Sequence, residues 1–412
     1  MEEENEEERG TLGLADLPDE ILRQIFRRLC VYTVLTRVAL TCKRFYEISA
    51  NVSFFKCIRF DPRFSSEKVT DVLKGVPLLK RLELYARRDV NSILEQAVDT
   101  STKLTVLKIN SGKEQRVSEL SSILLLNFLA RRPGLKRLVL KRASFDDEEL
   151  FFGGLCAAAP ELTSLNLNHN LQMSTENLMD IATGYRYLED LRIYCLSFDR
   201  LGSVTPYEDP PVRTLLMKGG SRLRVLKLNT LGLSDASMEA VACCRLLEKL
   251  HLYRLVNVGD DGLWQVGALE ELRELVVTVP RAVTRAGWLR LLAAPALSSL
   301  SKLTVSNSCT LDDDVLAVVA SNCSHINWLG LPGCRQITDR GVSQVVRSCR
   351  RLTYLNLFST KSSVERAFRL IPHHLPHLEV LVYRPADQRL TTLPQICDIM
   401  PHLEVREYYK YL

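Results

Sequence analysis

The chain has 412 residues, of which 46% are apolar and 25% charged, and a formal net charge of +5. That composition suits an ordinary globular protein and excludes a chain too polar to bury a core. The small charge, with no basic stripe interleaved with aromatic residues, does not point to nucleic acid. The longest apolar run, Ile123–Ala130, is broken by Asn127 and is far too short to cross a bilayer.

Residues 1–10 are acidic, with no apolar side chain after Met1, and are predicted to be a disordered tail. A solvating role is the plain reading, and docking to a basic partner is the alternative. An acidic opening is the reverse of a secretory leader, so the expectation is a cytoplasmic and/or nuclear protein with its twelve cysteines as free thiols.

Residues 11–50 form a separate helical unit. Pro18 suits a first helical turn, and Asp19 and Glu20 sit where the helix dipole favours negative charge. Ile21, Leu22, Ile25, Phe26 and Leu29 follow at helical spacing. Val34, Leu35 and Val38 suggest a short second helix, and Cys42, Phe45 and Ile48 a third. A core this small is weak alone and leans on a partner. Residues 51–78 read as a linker or atypical capping repeat, with strand alternation over Phe54–Phe60 and a helix over Val69–Val76.

From residue 79 to 412 the chain repeats. Leu-x-x-Leu-x-Leu-like triplets begin at Leu79, Leu104, Leu135, Leu162, Leu188, Leu223, Leu247, Leu272, Leu300, Ile326, Leu352 and Leu378, with a degenerate one at Leu403. The usual step is about 26 residues, enough for one strand, a turn and one short helix. Such a unit cannot bury its own apolar surfaces and needs a copy on each side. Helices are predicted over Val117–Ala130, Asp147–Ala158, Ser174–Tyr185, Asp235–Cys244, Arg285–Ala294, Asp312–Ser321 and Thr338–Ser348, the last capped by Thr338. The longest step holds residues 197–221, read as a loop insertion with a possible extra strand over Val212–Met217.

This pattern resembles the Cys-containing leucine-rich repeat, carried by Cys323, Leu329, Leu331, Cys334, Ile337, Thr338, Asp339 and Gly341. The recurring cysteines read as small buried fillers. The helical segment resembles an F-box through Leu17, Pro18, Glu20, Ile21 and Leu22, then Ile25-Phe26 and Leu29, then Thr41–Phe45. It departs from that pattern at Thr33-Val34-Leu35 and in having Phe45 where the family usually has Trp. A helical N-terminal cap for the array is the competing reading, compatible with the first.

The resemblances imply an α/β fold: a leucine-rich-repeat solenoid, with parallel strands on the concave face and helices on the convex face, after a three-helix F-box domain. They imply a non-catalytic substrate receptor of a cullin-RING ubiquitin ligase, docked on a Skp-type adaptor and through it a cullin. Leu17, Pro18, Ile21, Leu22, Ile25, Phe26 and Leu29 would face the adaptor or support the face that does.

Outward strand side chains should stack in columns along the array. Two groups of aromatic and basic residues stand out as candidate contacts for a protein target. Arg192, Tyr194, Lys227, His251 and Tyr253 form the first, and Trp328, Tyr354, Asn356, Phe358 and Arg384 the second. No Walker, His-Glu-x-x-His or Gly-x-Ser-x-Gly sequence occurs, so catalytic residues and cofactors are not expected. His373, His374, His377 and His402 lack carboxylates spaced to complete a metal site. Two other functions fit the same pattern: a free-standing binding or inhibitor scaffold, and a small-molecule sensor roofed by the 197–213 loop.

Overall fold

The structure, a computed structural model, describes residues 13–29, 31–50, 55–112, 119–168, 174–194, 208–360, 364–383 and 392–406. It divides into two compact units, Met1–Glu161 and Leu162–Leu412.

The first unit opens with three helices: α1 (Asp19–Arg28), α2 (Val31–Thr36) and α3 (Lys43–Ala50). Pro18 is the N-cap of α1, and Asp19 and Glu20 fill its first turn. The inner stripe of α1 is Leu22 and Phe26, both buried, and Phe26 meets Phe45 of α3 edge-on at 5.4 Å. The strands that follow are β1 (Cys57–Phe60), β2 (Arg81–Tyr85), β3 (Val106–Asn110), β4 (Glu119–Leu120), β5 (Arg137–Lys141) and β6 (Ser144–Phe145). β1, β2, β3 and β5 pair in parallel in that order, and β4 pairs with β6. Helices α4 (Ser66–Lys74), α5 (Val90–Gln96), α6 (Ser122–Ala130) and α7 (Glu148–Ala158) alternate with them.

In the second unit the strands are β7 (Ser164–Asn166), β8 (Asp190–Ile193), β9 (Val225–Asn229), β10 (Lys249–Tyr253), β11 (Glu274–Thr278), β12 (Lys302–Ser306), β13 (Trp328–Gly330), β14 (Tyr354–Asn356), β15 (Val380–Val382) and β16 (Glu404–Arg406). Each is parallel to the next, so sequence order is spatial order. Its helices are α8 (Thr175–Gly184), α9 (Asp209–Gly219), α10 (Asp235–Ala242), α11 (Asp260–Trp264), α12 (Arg285–Leu292), α13 (Asp313–Asn322), α14 (Asp339–Ser348), α15 (Glu365–His374) and α16 (Thr392–Ile399). The register stacks Leu191, Leu226, Leu250, Leu275, Leu303, Leu329, Leu355 and Leu381 in one row, all fully buried. Burying each such leucine contributes roughly 1.5–3 kcal/mol.

A second device ties neighbouring repeats together. The first residue of several helices is an aspartate that accepts bonds from the start of the next helix. Asp209 takes the Ser234 N–H (3.0 Å), Asp235 the Gly259 N–H (2.7 Å) and Asp260 the Thr284 N–H (2.7 Å). Asp313 takes the Thr338 N–H (2.8 Å) and Asp339 the Ala367 N–H (2.9 Å). These N–H groups belong to the unsatisfied first turn of a helix. The carboxylate needs room, and a glycine supplies it. A Cβ at Gly262, Gly287 or Gly341 would overlap the Asp235, Asp260 or Asp313 carboxylate. This explains why the repeat pattern carries Asp and Gly at these places.

Three sequence expectations need correction. The helix expected over Val117–Ala130 starts only at Ser122, and Glu119–Leu120 are the strand β4. Residues 209–219 are not loop or strand but the regular helix α9, with Val212, Leu215, Leu216 and Gly219 buried at helical spacing. Pro210 and Pro211 lie at its start, where proline is tolerated because the first N–H groups lack partners anyway. Residues 195–207, the rest of the expected insertion, lie outside the described residues, as does the acidic tail. Short helices α5 and α11 were also not expected. Each is stopped within two turns, too few for a helical period to show.

Candidate partner-binding surfaces

The structure sorts five of the seven residues expected at the adaptor into two stripes of α1. Leu22 and Phe26 are buried and hold the three helices together. Ile21, Ile25 and Leu29 follow one another at four-residue steps on the outer side, where Ile21 and Leu29 are exposed and Ile25 half-buried. Pro18 is exposed and Leu17 half-buried at the helix start. Among the described residues, five of twelve exposed large apolar side chains (Leu14, Ile21, Leu29, Leu40 and Tyr46) fall before residue 51.

Arg44 of α3 fixes the segment that leads into α1. Its guanidinium donates to the Leu17 carbonyl (2.7 Å), to Asp19 Oδ1 (2.7 Å and 3.1 Å) and to the Ala15 carbonyl. The sequence marks Arg44 as part of a basic-aromatic stretch, but only the fold brings it to Leu17, 27 positions away.

The strand surface of the second unit holds the two expected groups. Arg192, Lys227 and His251 occupy one register row across β8, β9 and β10. Arg192 is held by Asp190 through two bonds of 2.6 and 2.9 Å. His251 is not an exposed anchor; it is 4% exposed. Its Nε2–H donates to Glu274 Oε1 (2.8 Å), because an ionised carboxylate can only accept. The Tyr253 hydroxyl then donates to Nδ1 (2.9 Å). Burial pushes the His251 pKa down to about 4 despite the Glu274 bond, so the ring is neutral at pH 7. Burial raises the Glu274 carboxyl, but the bonds from His251 and Lys302 outweigh that and hold it well below the usual carboxylate range. Tyr253 is buried too, stacked on half-buried Tyr194 at 4.2 Å.

In the second group Trp328 and Tyr354 stack at 3.5 Å with planes 7° apart, and Lys302 Nζ lies 4.5 Å above the Trp328 ring. Trp328 and Phe358 are half-buried. Tyr354 and Asn356 are buried, which departs from the expectation of open contacts. The Asn356 amide is used internally, donating to the Tyr354 hydroxyl (3.3 Å) and accepting from the Phe358 N–H (2.9 Å). Arg384 lies outside the described residues. The sequence reading passed over Asp190, Glu274 and Lys302. They stand in the same outward columns, but nothing in a single row of letters says which charges meet.

The burial has one cause. Strands stand about 4.8 Å apart, so neighbouring outward side chains cover one another. The row between the leucines is the most covered, with Thr304 at 6% and Asn356 at 0% exposed, while Lys249 one row away is exposed.

Comparison with known proteins agrees with both parts of the architecture. A family model described as F-box-like matches residues 14–61. A chain from the crystal structure of the Rad7 and Elc1 complex in yeast is similar to this one at 15% identity and a TM-score of 0.50. The match covers 94% of this chain and 90% of that one. A chain of the TLR13–ssRNA13 complex is similar at 16% identity and a TM-score of 0.45, over 86% of this chain and 49% of that one. At 15% identity the likeness to the chain of the Rad7 and Elc1 complex is one of fold. The protein thus has an α/β leucine-rich-repeat fold with parallel strands. Its N-terminal helices are an F-box-like domain.

Proposed function

We propose that the chain is the substrate-recognition subunit of a cullin-RING ubiquitin ligase, working in the cytoplasm and/or nucleus. The F-box-like domain docks on a Skp-type adaptor, and the strand surface of the repeats binds a protein target. The chain supplies no catalytic group in this reading. It raises the effective concentration of the target near a ubiquitin-charged enzyme.

The observation that carries the reading is the outer stripe Pro18, Ile21, Ile25 and Leu29 on an F-box-like domain whose inner stripe is already used by its own core. Joint replacement of Leu17 and Pro18 by Ala should abolish co-purification of a Skp-type adaptor while thermal unfolding of the chain stays unchanged. Undiminished adaptor binding by that variant would sink the docking assignment. A chain that never retains adaptor or cullin, yet holds a target, would be the free-standing scaffold instead.

A further inference from the structure

Lys227 is the starting point. It sits on β9 between its register partners Arg192 on β8 and His251 on β10. Four cations gather there (Arg192, Lys227, Lys249 and Lys302) against two carboxylates, Asp190 and Glu274. Both carboxylates are engaged. Asp190 holds Arg192, and Glu274 takes Lys302 at 3.0 Å, Lys249 at 3.7 Å and the neutral His251. The Lys227 ammonium is half-buried and has no hydrogen bond or salt bridge to any described residue. A partly buried cation with no ion pair of its own is costly, nearby Arg192 and Lys302 add to the cost, and Glu274 and Asp190, engaged elsewhere, offset only part of it.

We propose that Lys227 and Arg192 receive an acidic side chain of the target protein, a carboxylate or a phosphorylated hydroxyl, borne on an extended segment that crosses the strands. The inference deepens the target-binding reading above and rests on it. Charge complementarity chooses the ligand: a local excess of two positive charges, with Lys227, which pairs with none of the described residues, at its centre. Burial and the Arg192 charge hold the Lys227 amine down to about 8, so it is still mainly an ammonium at pH 7, and an incoming anion would stabilise that charged form. The same segment has a second anchor. Trp328 lies four strands from Lys227, roughly 19 Å at ordinary strand spacing, which about six extended residues span. Half-buried Trp328, its ring held between Tyr354 and Lys302 from the two neighbouring strands, offers what remains exposed of it to an apolar or aromatic residue there.

The test uses the full chain and a library of random short peptides selected for binding to it. Selected peptides should be enriched in Asp or Glu about six positions from an aromatic or apolar residue. Lys227→Met should weaken them by about tenfold or more, and Lys227→Arg should keep most of the affinity. Remaking the strongest peptide with phosphoserine at the acidic position tells a phosphate preference from a carboxylate one. Lys227→Gln serves where the Met variant unfolds. Peptides with no acidic enrichment, or with undiminished binding to Lys227→Met and Lys227→Gln, overturn the proposal. If such peptides are still lost in Trp328→Ala, the target-binding surface stands and only the anion site falls. If they ignore both substitutions, the surface assignment falls as well.

Discussion

Gly287 and Gly153 both lie inside helices, and helix propensity alone favours alanine at each by about 1 kcal/mol. The structure gives the two substitutions opposite signs. At exposed Gly153 an added Cβ meets nothing within 4 Å, so Gly153→Ala should raise stability by about 1 kcal/mol. At Gly287 the Cβ overlaps the Asp260 carboxylate, which must move away from Thr284. Asp260 then loses the Thr284 N–H (2.7 Å) and the Thr284 hydroxyl (2.5 Å). Bonds to a charged acceptor are worth about 1.5–3 kcal/mol, and the low end applies because Thr284 is exposed and water replaces part of each. Two such bonds total about 3 kcal/mol, less about 1 kcal/mol of regained propensity, which leaves a net loss of about 2 kcal/mol. Urea unfolding should show a lower midpoint at unchanged slope. Hydrogen exchange should show faster loss of protection at the Thr284 amide and little change in α14, since coupling in an array is between neighbours. In an Asp260→Ala background the sign should reverse, because the carboxylate no longer competes for the space. A Gly287→Ala chain as stable as the parent, with the Thr284 amide still protected, would refute the idea that these carboxylates clamp the repeats.

Acid should loosen the second unit. Between about pH 6.5 and 4 an unfolded histidine binds a proton that folded His251 refuses, so stability falls as pH drops through that window, and Glu274 extends the fall to lower pH. His251→Asn should flatten the urea midpoint against pH there, and an unchanged slope would count against the buried neutral ring. Arg44→Ala should weaken adaptor binding about tenfold by freeing the Leu17 carbonyl and Asp19, with all exposed apolar side chains intact, as read by calorimetric titration. Val279 holds a left-handed backbone (φ 53°) that a β-branched residue resists, so Val279→Asn should gain about 1 kcal/mol in the same urea assay. The buried thiols of Cys323, Cys334 and Cys349, pushed up by burial to about 11, 12 and 12, should stay inert to a thiol reagent until urea opens the array. Exposed Cys57, Cys243 and Cys309 should react at once.

Much of the architecture was legible because its signals are periodic. A leucine, or isoleucine at Ile326, at each repeat start fixes a strand, and the strand row from Leu191 to Leu381 follows from translation alone. Thr338 read as a cap because a hydroxyl before an apolar helical run has one good use, and it does accept the Arg340 N–H at 3.3 Å. The α9 segment misled for the opposite reason. Two prolines in a row look like a loop, yet at the start of a helix they cost nothing, and their meaning depends on the helical burial that follows.

The surfaces were harder, and the reason is physical. Periodicity tells which way a side chain points from its own strand but not what its neighbours do to it. His251, Tyr253 and Asn356 point outward as expected and are nonetheless buried, because parallel strands bring residues from about 25 positions away within bonding distance. Glu274 is 23 positions from His251 and 28 from Lys302, yet it fixes which ring nitrogen carries the His251 proton and pairs Lys302. Lys227 is left over only once those pairs are known. The most informative cation on this surface is therefore identified by subtraction: the outward columns nominate it alongside Arg192 and His251, and the bonds of its neighbours single it out.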